Sequence, residues 1–110
     1  MSILVWALNE LHENVSSGNI DIPVEGNASL TSLQLTKEGG GNLTAVTVRR
    51  SLDSGATWGA ERAITSGLPL SSDGDSLDID FIDELVTAVR FTITTSAAMD
   101  LRIIGRAERR

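Results

Sequence analysis

The 110 residues predict an all-β protein: an antiparallel β-sandwich, jelly-roll-like, of about eight strands. Three observations predict it. Apolar and polar residues alternate with period two along most of the chain, the pattern of strands with one face on a core and one in water. Clusters of Gly, Ser, Asn and Asp interrupt that alternation at regular intervals and supply turns. The composition leans on Ser, Thr, Gly, Leu, Ile and Val, with a single lysine, two prolines and no tyrosine, which suits sheets better than helices.

The predicted strands are 3–8, 19–24, 29–36, 43–50, 57–64, 76–81, 85–94 and 99–107. The first is apolar, and a rival reading exists there, because Leu4, Leu8, Leu11 and Val15 follow helical spacing. Residues 4–14 can therefore be read as a short helix, a strand or an extended arm. Pro23 in the second strand lacks an N–H to donate and places that strand at a sheet edge. The sixth sets Leu77, Ile79 and Phe81 against Asp78 and Asp80. The seventh sets Val89, Phe91 and Ile93 against Arg90, Thr92 and Thr94, and the eighth sets Leu101 and Ile103 against Arg102. Between them fall the turn sequences 16–19, 25–27, 38–42, 53–55, 66–69 and 72–75. A single domain over 1–110 is expected, with an N-terminal arm at 1–15 and a basic tail at 106–110.

Composition narrows the chemistry. Hydrophobic residues make up 41% and charged residues 22%, a globular balance. There is no cysteine and one histidine, His12, so thiolate nucleophiles, disulfides, cysteine-ligated zinc and most acid–base constellations cannot be built. No enzyme activity and no cofactor are expected. A net charge of −6 repels phosphate backbones, so nucleic acid is not an expected partner. No stretch is long and apolar enough for a membrane-spanning helix, and the N-terminal apolar segment lacks the basic start of a signal peptide, so the expectation is synthesis in the cytoplasm.

The charge is unevenly placed. Asp73, Asp75, Asp78, Asp80, Asp83 and Glu84 form an acidic run with no basic residue among them, while Arg102, Arg106, Arg109 and Arg110 crowd the end of the chain. An acidic loop meeting a basic tail on a neighbouring subunit would fix register and orientation. Asp73, Asp75, Trp6 and those four arginines are therefore the expected assembly contacts. The acidic run lacks the spacing of an EF-hand, and no metal site is expected. Asp78 and Asp80 share one strand face as any solvent-side pair does, which is poor support for a carboxylate glycosidase.

One motif is specific. Ser51-Leu-Asp-Ser-Gly-Ala-Thr-Trp58 matches S-x-D-x-G-x-T-W at all five fixed positions, the Asp-box found on hairpins of sialidase-type propellers. The Asp53 carboxylate can accept from N–H groups that a tight turn leaves unpaired, and Gly55 supplies a positive φ. Thr57 restarts the strand and Trp58 offers an apolar face to pin the loop. Ser51, Asp53, Gly55, Thr57 and Trp58 are thus read as a structural turn. One copy cannot make a propeller, which repeats its blade several times.

What surrounds the box resembles small β-sandwich virion proteins of tailed bacteriophages. The block from Leu30 through Leu43-Thr-Ala-Val-Thr-Val-Arg-Arg50 leads into the box, Val89-Arg-Phe-Thr-Ile93 follows, and a closing strand ends basic. Ser54 stands where the usual pattern has a second glycine. The resemblance covers about Ala28 to the C-terminus. It implies an accessory virion part, capsid decoration or cement protein foremost, with the major capsid protein or other virion proteins as partners. A homo-oligomer is expected with it, a trimer favoured. Two rivals are a carbohydrate-binding module of a fibre, using Trp6 or Trp58 as an exposed platform, and a neck or tail adaptor.

Overall fold

The computed structural model describes residues 3–26 and 28–109. Eight strands follow one another: β1 (Ile3–Val15), β2 (Gly18–Pro23), β3 (Leu30–Gly40), β4 (Leu43–Ser51), β5 (Arg62–Ile64), β6 (Ser76–Ile82), β7 (Ala88–Thr95) and β8 (Met99–Arg109). They form two four-stranded antiparallel sheets, ordered β1-β8-β3-β6 (sheet A) and β2-β7-β4-β5 (sheet B). The chain changes sheet at nearly every connection, and the two orders are those of a jelly roll. Among the described residues only β4 and β5 are consecutive strands paired within one sheet.

The alternation read from sequence is the alternation of the two sheet faces. Leu33 and Leu35 of β3, Leu77, Ile79 and Phe81 of β6, and Leu101 and Ile103 of β8 are buried from sheet A. Ile22, Val46, Val48, Val89, Phe91 and Ile93 meet them from sheet B. Pro23 does close an edge strand, since β2 is outermost in sheet B and pairs only with β7. There its missing N–H leaves no ladder bond unmade.

Three expectations need correction. Residues 4–14 are neither helix nor arm: they lie within β1, which pairs with β8 from Ile3↔Arg109 to Val15↔Met99. The leucine spacing misleads because β1 is an edge strand. Leu4, Ala7 and Leu11 share its outward face while Trp6 and Leu8 point inward, so apolar residues fall on both faces. The basic tail is likewise strand: Arg106 and Arg109 belong to β8, whose ladders to β1 and β3 hold it in mid-sheet. Arg110 lies outside the described residues. Finally, the fifth strand is only three residues long, because residues 52–61 are given over to the Asp-box turn.

Candidate functional site

The Asp-box hairpin is densely hydrogen-bonded, and among the described residues it joins the one pair of consecutive strands that are neighbours in a sheet. Asp53 is its hub. Its Oδ2 accepts from Thr57 Oγ1 (2.6 Å), and its Oδ1 accepts from Thr57 N–H (2.8 Å) and Ser51 Oγ (2.7 Å). The Thr57 hydroxyl foremost, then the Thr57 N–H and the Ser51 hydroxyl, hold the Asp53 carboxyl down at about 2. Ser51, buried, completes the loop: its Oγ accepts from the N–H of Asp53 and of Gly55 (2.8 Å). Gly55 has φ +94°, open to glycine and strained for other residues. Ser54 also adopts a left-handed φ, +58°, held there by its N–H donating to Thr87 Oγ1 (2.8 Å).

Two supports of this turn were not legible in the sequence. Thr87, just before β7, donates from both N–H (2.9 Å) and Oγ1 (3.0 Å) to the Ser51 carbonyl. Arg90 of β7 lies over the Trp58 ring, 4.5 Å from its centroid, while forking onto Asp21 of β2 (2.8 and 2.9 Å). That hydrogen bonding pulls Asp21 below the usual carboxylate range and raises Arg90. Trp58 is therefore clamped on the outer face of sheet B. The only available signal was the alternating charge of Asp21 and Arg90, and their pairing depends on a register that links residues far apart in the chain.

Trp6 takes a different place. It pairs with Ala107 on the inward face and lays its ring over Gly105, where a Cβ would stand 2.6 and 2.7 Å from ring atoms Cζ3 and Cη2. The glycine makes room for the indole, and the two tryptophans lie apart, Trp6 in sheet A and Trp58 in the turn over the outer face of sheet B. They do not form a joint platform.

The charged residues expected to meet across subunits are for the most part engaged within the chain. Asp73 Oδ1 accepts from Lys37 Nζ at 2.6 Å, and the two differ sharply in exposure, 69% for the aspartate side chain and 4% for the lysine. Asp75 accepts from the N–H groups of Ser72 and Ser71 (2.9 and 3.1 Å), bonds that lower its pKa. Arg102 is held by Glu38 (2.6 Å) and by Asn9. Arg50 and Arg62 converge on Glu84, at the end of the acidic run. Arg106, by contrast, makes no ion pair among the described residues, and neither do Asp78 and Asp80. A groove of about 250 Å³ runs beside the box, lined by Arg50, Leu52, Thr57, Trp58 and Arg62 among others. Among the described residues no group of three or more His, Cys, Asp or Glu side chains is placed to hold a metal ion.

No protein-family model matches the chain, and no curated protein matches it. Among solved structures, it is similar to a chain of the infectious bursal disease virus Gx strain (17% identity, TM-score 0.36, 98% of this chain and 30% of that one). It is also similar to a chain of the T13 particle of the same virus (13% identity, TM-score 0.40, 93% and 30%). A third likeness is to the CBM22-1–GH10 modules of Clostridium thermocellum xylanase 10B complexed with xylohexaose (13% identity, TM-score 0.31, 99% and 26%). The chain spans about a third or less of each of these, and likenesses this distant carry no argument about what it does.

Proposed function

We propose that the chain is a non-enzymatic structural protein of a tailed-phage particle, a capsid decoration or cement protein working as a homo-oligomer on the major capsid protein. The observation that carries this reading is the Asp-box seated on the hairpin that joins β4 and β5 within one sheet of an eight-stranded jelly roll. The resemblance to small phage β-sandwiches implies a strand that runs into such a box. Jelly rolls build viral capsids and lectins alike, so the topology supports the reading by analogy only. Composition adds to it: one histidine and no cysteine leave little with which to run acid–base or nucleophilic chemistry. Two outward sheet faces suit the many small contacts that a cementing part needs.

Mass spectrometry of density-purified particles tests the reading. The protein is expected in fixed stoichiometry with the major capsid protein, and a particle map assigns it to head rather than neck, tail or fibre. A second reading, a carbohydrate-binding module, draws support from the groove beside Trp58 with its two arginines. It requires binding on a glycan array that Trp58→Ala abolishes.

A further inference from the structure

The two outward faces of the sandwich differ in kind. On sheet B the charged and polar groups are satisfied within the face: Arg90 on Asp21, Arg49 on Glu61, Thr92 on Asn19. On sheet A, Arg106 of β8 and Asp78 and Asp80 of β6 point outward without ion pairs. Around them lie exposed Leu4 (50%) and Ile82 (58%), with half-buried Leu30 and Ile104. Exposed apolar side chains gathered beside unpaired charges of both signs mark a surface that meets something.

We propose that the outward face of sheet A is a two-fold contact with a second copy of this chain. The register carries the argument. Ser32 of β3 pairs with Arg106 on one side and with Asp80 on the other, so the cation and the carboxylate stand symmetrically about β3 in one row. A two-fold axis laid along β3 above Ser32 exchanges β8 with β6 and keeps every row in place. Arg106 of each copy then faces Asp80 of the other, twice over, as an isologous contact requires. The next row behaves the same way. Leu4, Glu108, Leu30 and Ile82 follow one another across the sheet, so the rotation sets Ile82 of the second copy over the stem of Glu108, between Leu4 and Leu30. Packed sheets cross at about 30°, which displaces residues one strand (about 4.8 Å) from the axis by only about 2.5 Å, within the reach of an arginine. The shallow groove of about 310 Å³ over Ser32 and Gln34, walled by Arg106 on one side and Asp78 and Asp80 on the other, is the space the second copy would fill.

Size sets the strength. Three overlapping strands about 4.8 Å apart, each giving about seven residues at about 3.3 Å, cover about 330 Å² per copy. A standard interface buries about 800 Å² per partner. The dimer is therefore weak and concentration-dependent, reinforced where many copies are held side by side. The contact goes beyond the virion reading, since solution mass tests it whatever particle holds the chain.

Sedimentation equilibrium of the wild type, Arg106→Glu and Asp80→Arg, up to about 1 mM, is the experiment. The wild type is expected to dimerise and to lose affinity as salt rises. Each single variant, checked for folding by circular dichroism, is expected to weaken association about tenfold or more, because both reciprocal contacts turn repulsive. An equimolar mixture of the two variants is expected to form a heterodimer, since each contact in the mixed pair again joins opposite charges. A wild type that stays monomeric overturns the proposal. So does a dimer that neither variant weakens, or a mixture that associates no better than its components.

Discussion

Gly105→Ala asks whether Trp6 is seated as described. At most strand glycines the change would stabilise by about 0.4–1 kcal/mol, because it narrows the unfolded ensemble. Gly105 has no positive φ that would penalise a side chain. Sterics decide the sign here. The new methyl would stand 2.6 and 2.7 Å from Trp6 Cζ3 and Cη2, and 2.9 Å from Leu33 Cδ2. Leu33 can swing its terminal methyl aside, but the indole is a rigid plate. Overpacking of this kind costs about 1–3 kcal/mol, so the net expectation is a destabilisation of about 1–2 kcal/mol. In a domain this size that lowers Tm by about 4–8 °C, read by circular dichroism with tryptophan emission as a second probe. Trp6→Leu removes the plate, so adding Gly105→Ala to that variant should cost less than about 0.5 kcal/mol, a coupling of at least about 0.5 kcal/mol. A Gly105→Ala protein as stable as the wild type, or strictly additive effects in the double variant, would refute the packing of Trp6 over Gly105.

Other expectations concern the turn and the buried lysine. Asp53 has its pKa depressed from about 3.8 to about 2, so its ionised form stabilises the fold above pH 3.8 and that stabilisation is lost as pH falls toward 2. Denaturant titrations should show Asp53→Asn less stable than the wild type at neutral pH, with the gap closing in that acid window; a gap independent of pH would contradict the bonding around Asp53. Ser54→Gly should stabilise by about 0.5 kcal/mol, since a left-handed L-residue costs about 1–2 kcal/mol and glycine's own entropy offsets part of the relief. A loss of stability in chemical denaturation would mean that the Ser54 backbone is not left-handed. Asp73→Ala and Lys37→Met should differ in effect although they break the same ion pair. The first leaves a buried ammonium without its partner and costs about 1–3 kcal/mol, whereas the second leaves only an exposed carboxylate and should be near neutral. Equal losses in the two denaturation curves would contradict the burial of Lys37.

What the sequence made legible follows from how local each signal is. Most strands could be read because period two is written into neighbouring residues such as Leu77, Asp78 and Ile79. The Asp-box could be read for the same reason, as its bonds from Ser51 to Thr57 span only six positions. The β1 strand was ambiguous because an edge strand carries apolar residues on both faces, and alternation fades there. The shortened β5 was missed because Thr57 and Trp58 are strand-forming residues held by Asp53 and Arg90 instead of by a ladder. The candidate site divides in the same way. Arg102, Asp73 and Asp75 were marked for neighbours, yet Glu38, Lys37 and the backbone of the 71–75 turn take them up. Those pairings, and the symmetric placing of Arg106 and Asp80 about Ser32, depend on which strands lie side by side. No local pattern encodes that.

A cryo-electron map of intact particles tests whether this jelly roll is a structural part of a phage particle. The expected result is an eight-stranded sandwich bound in regular copies to the capsid surface, with density for the Asp-box hairpin between its fourth and fifth strands. Particles whose surface is fully accounted for by other proteins, with this chain found only free in the lysate, would contradict it.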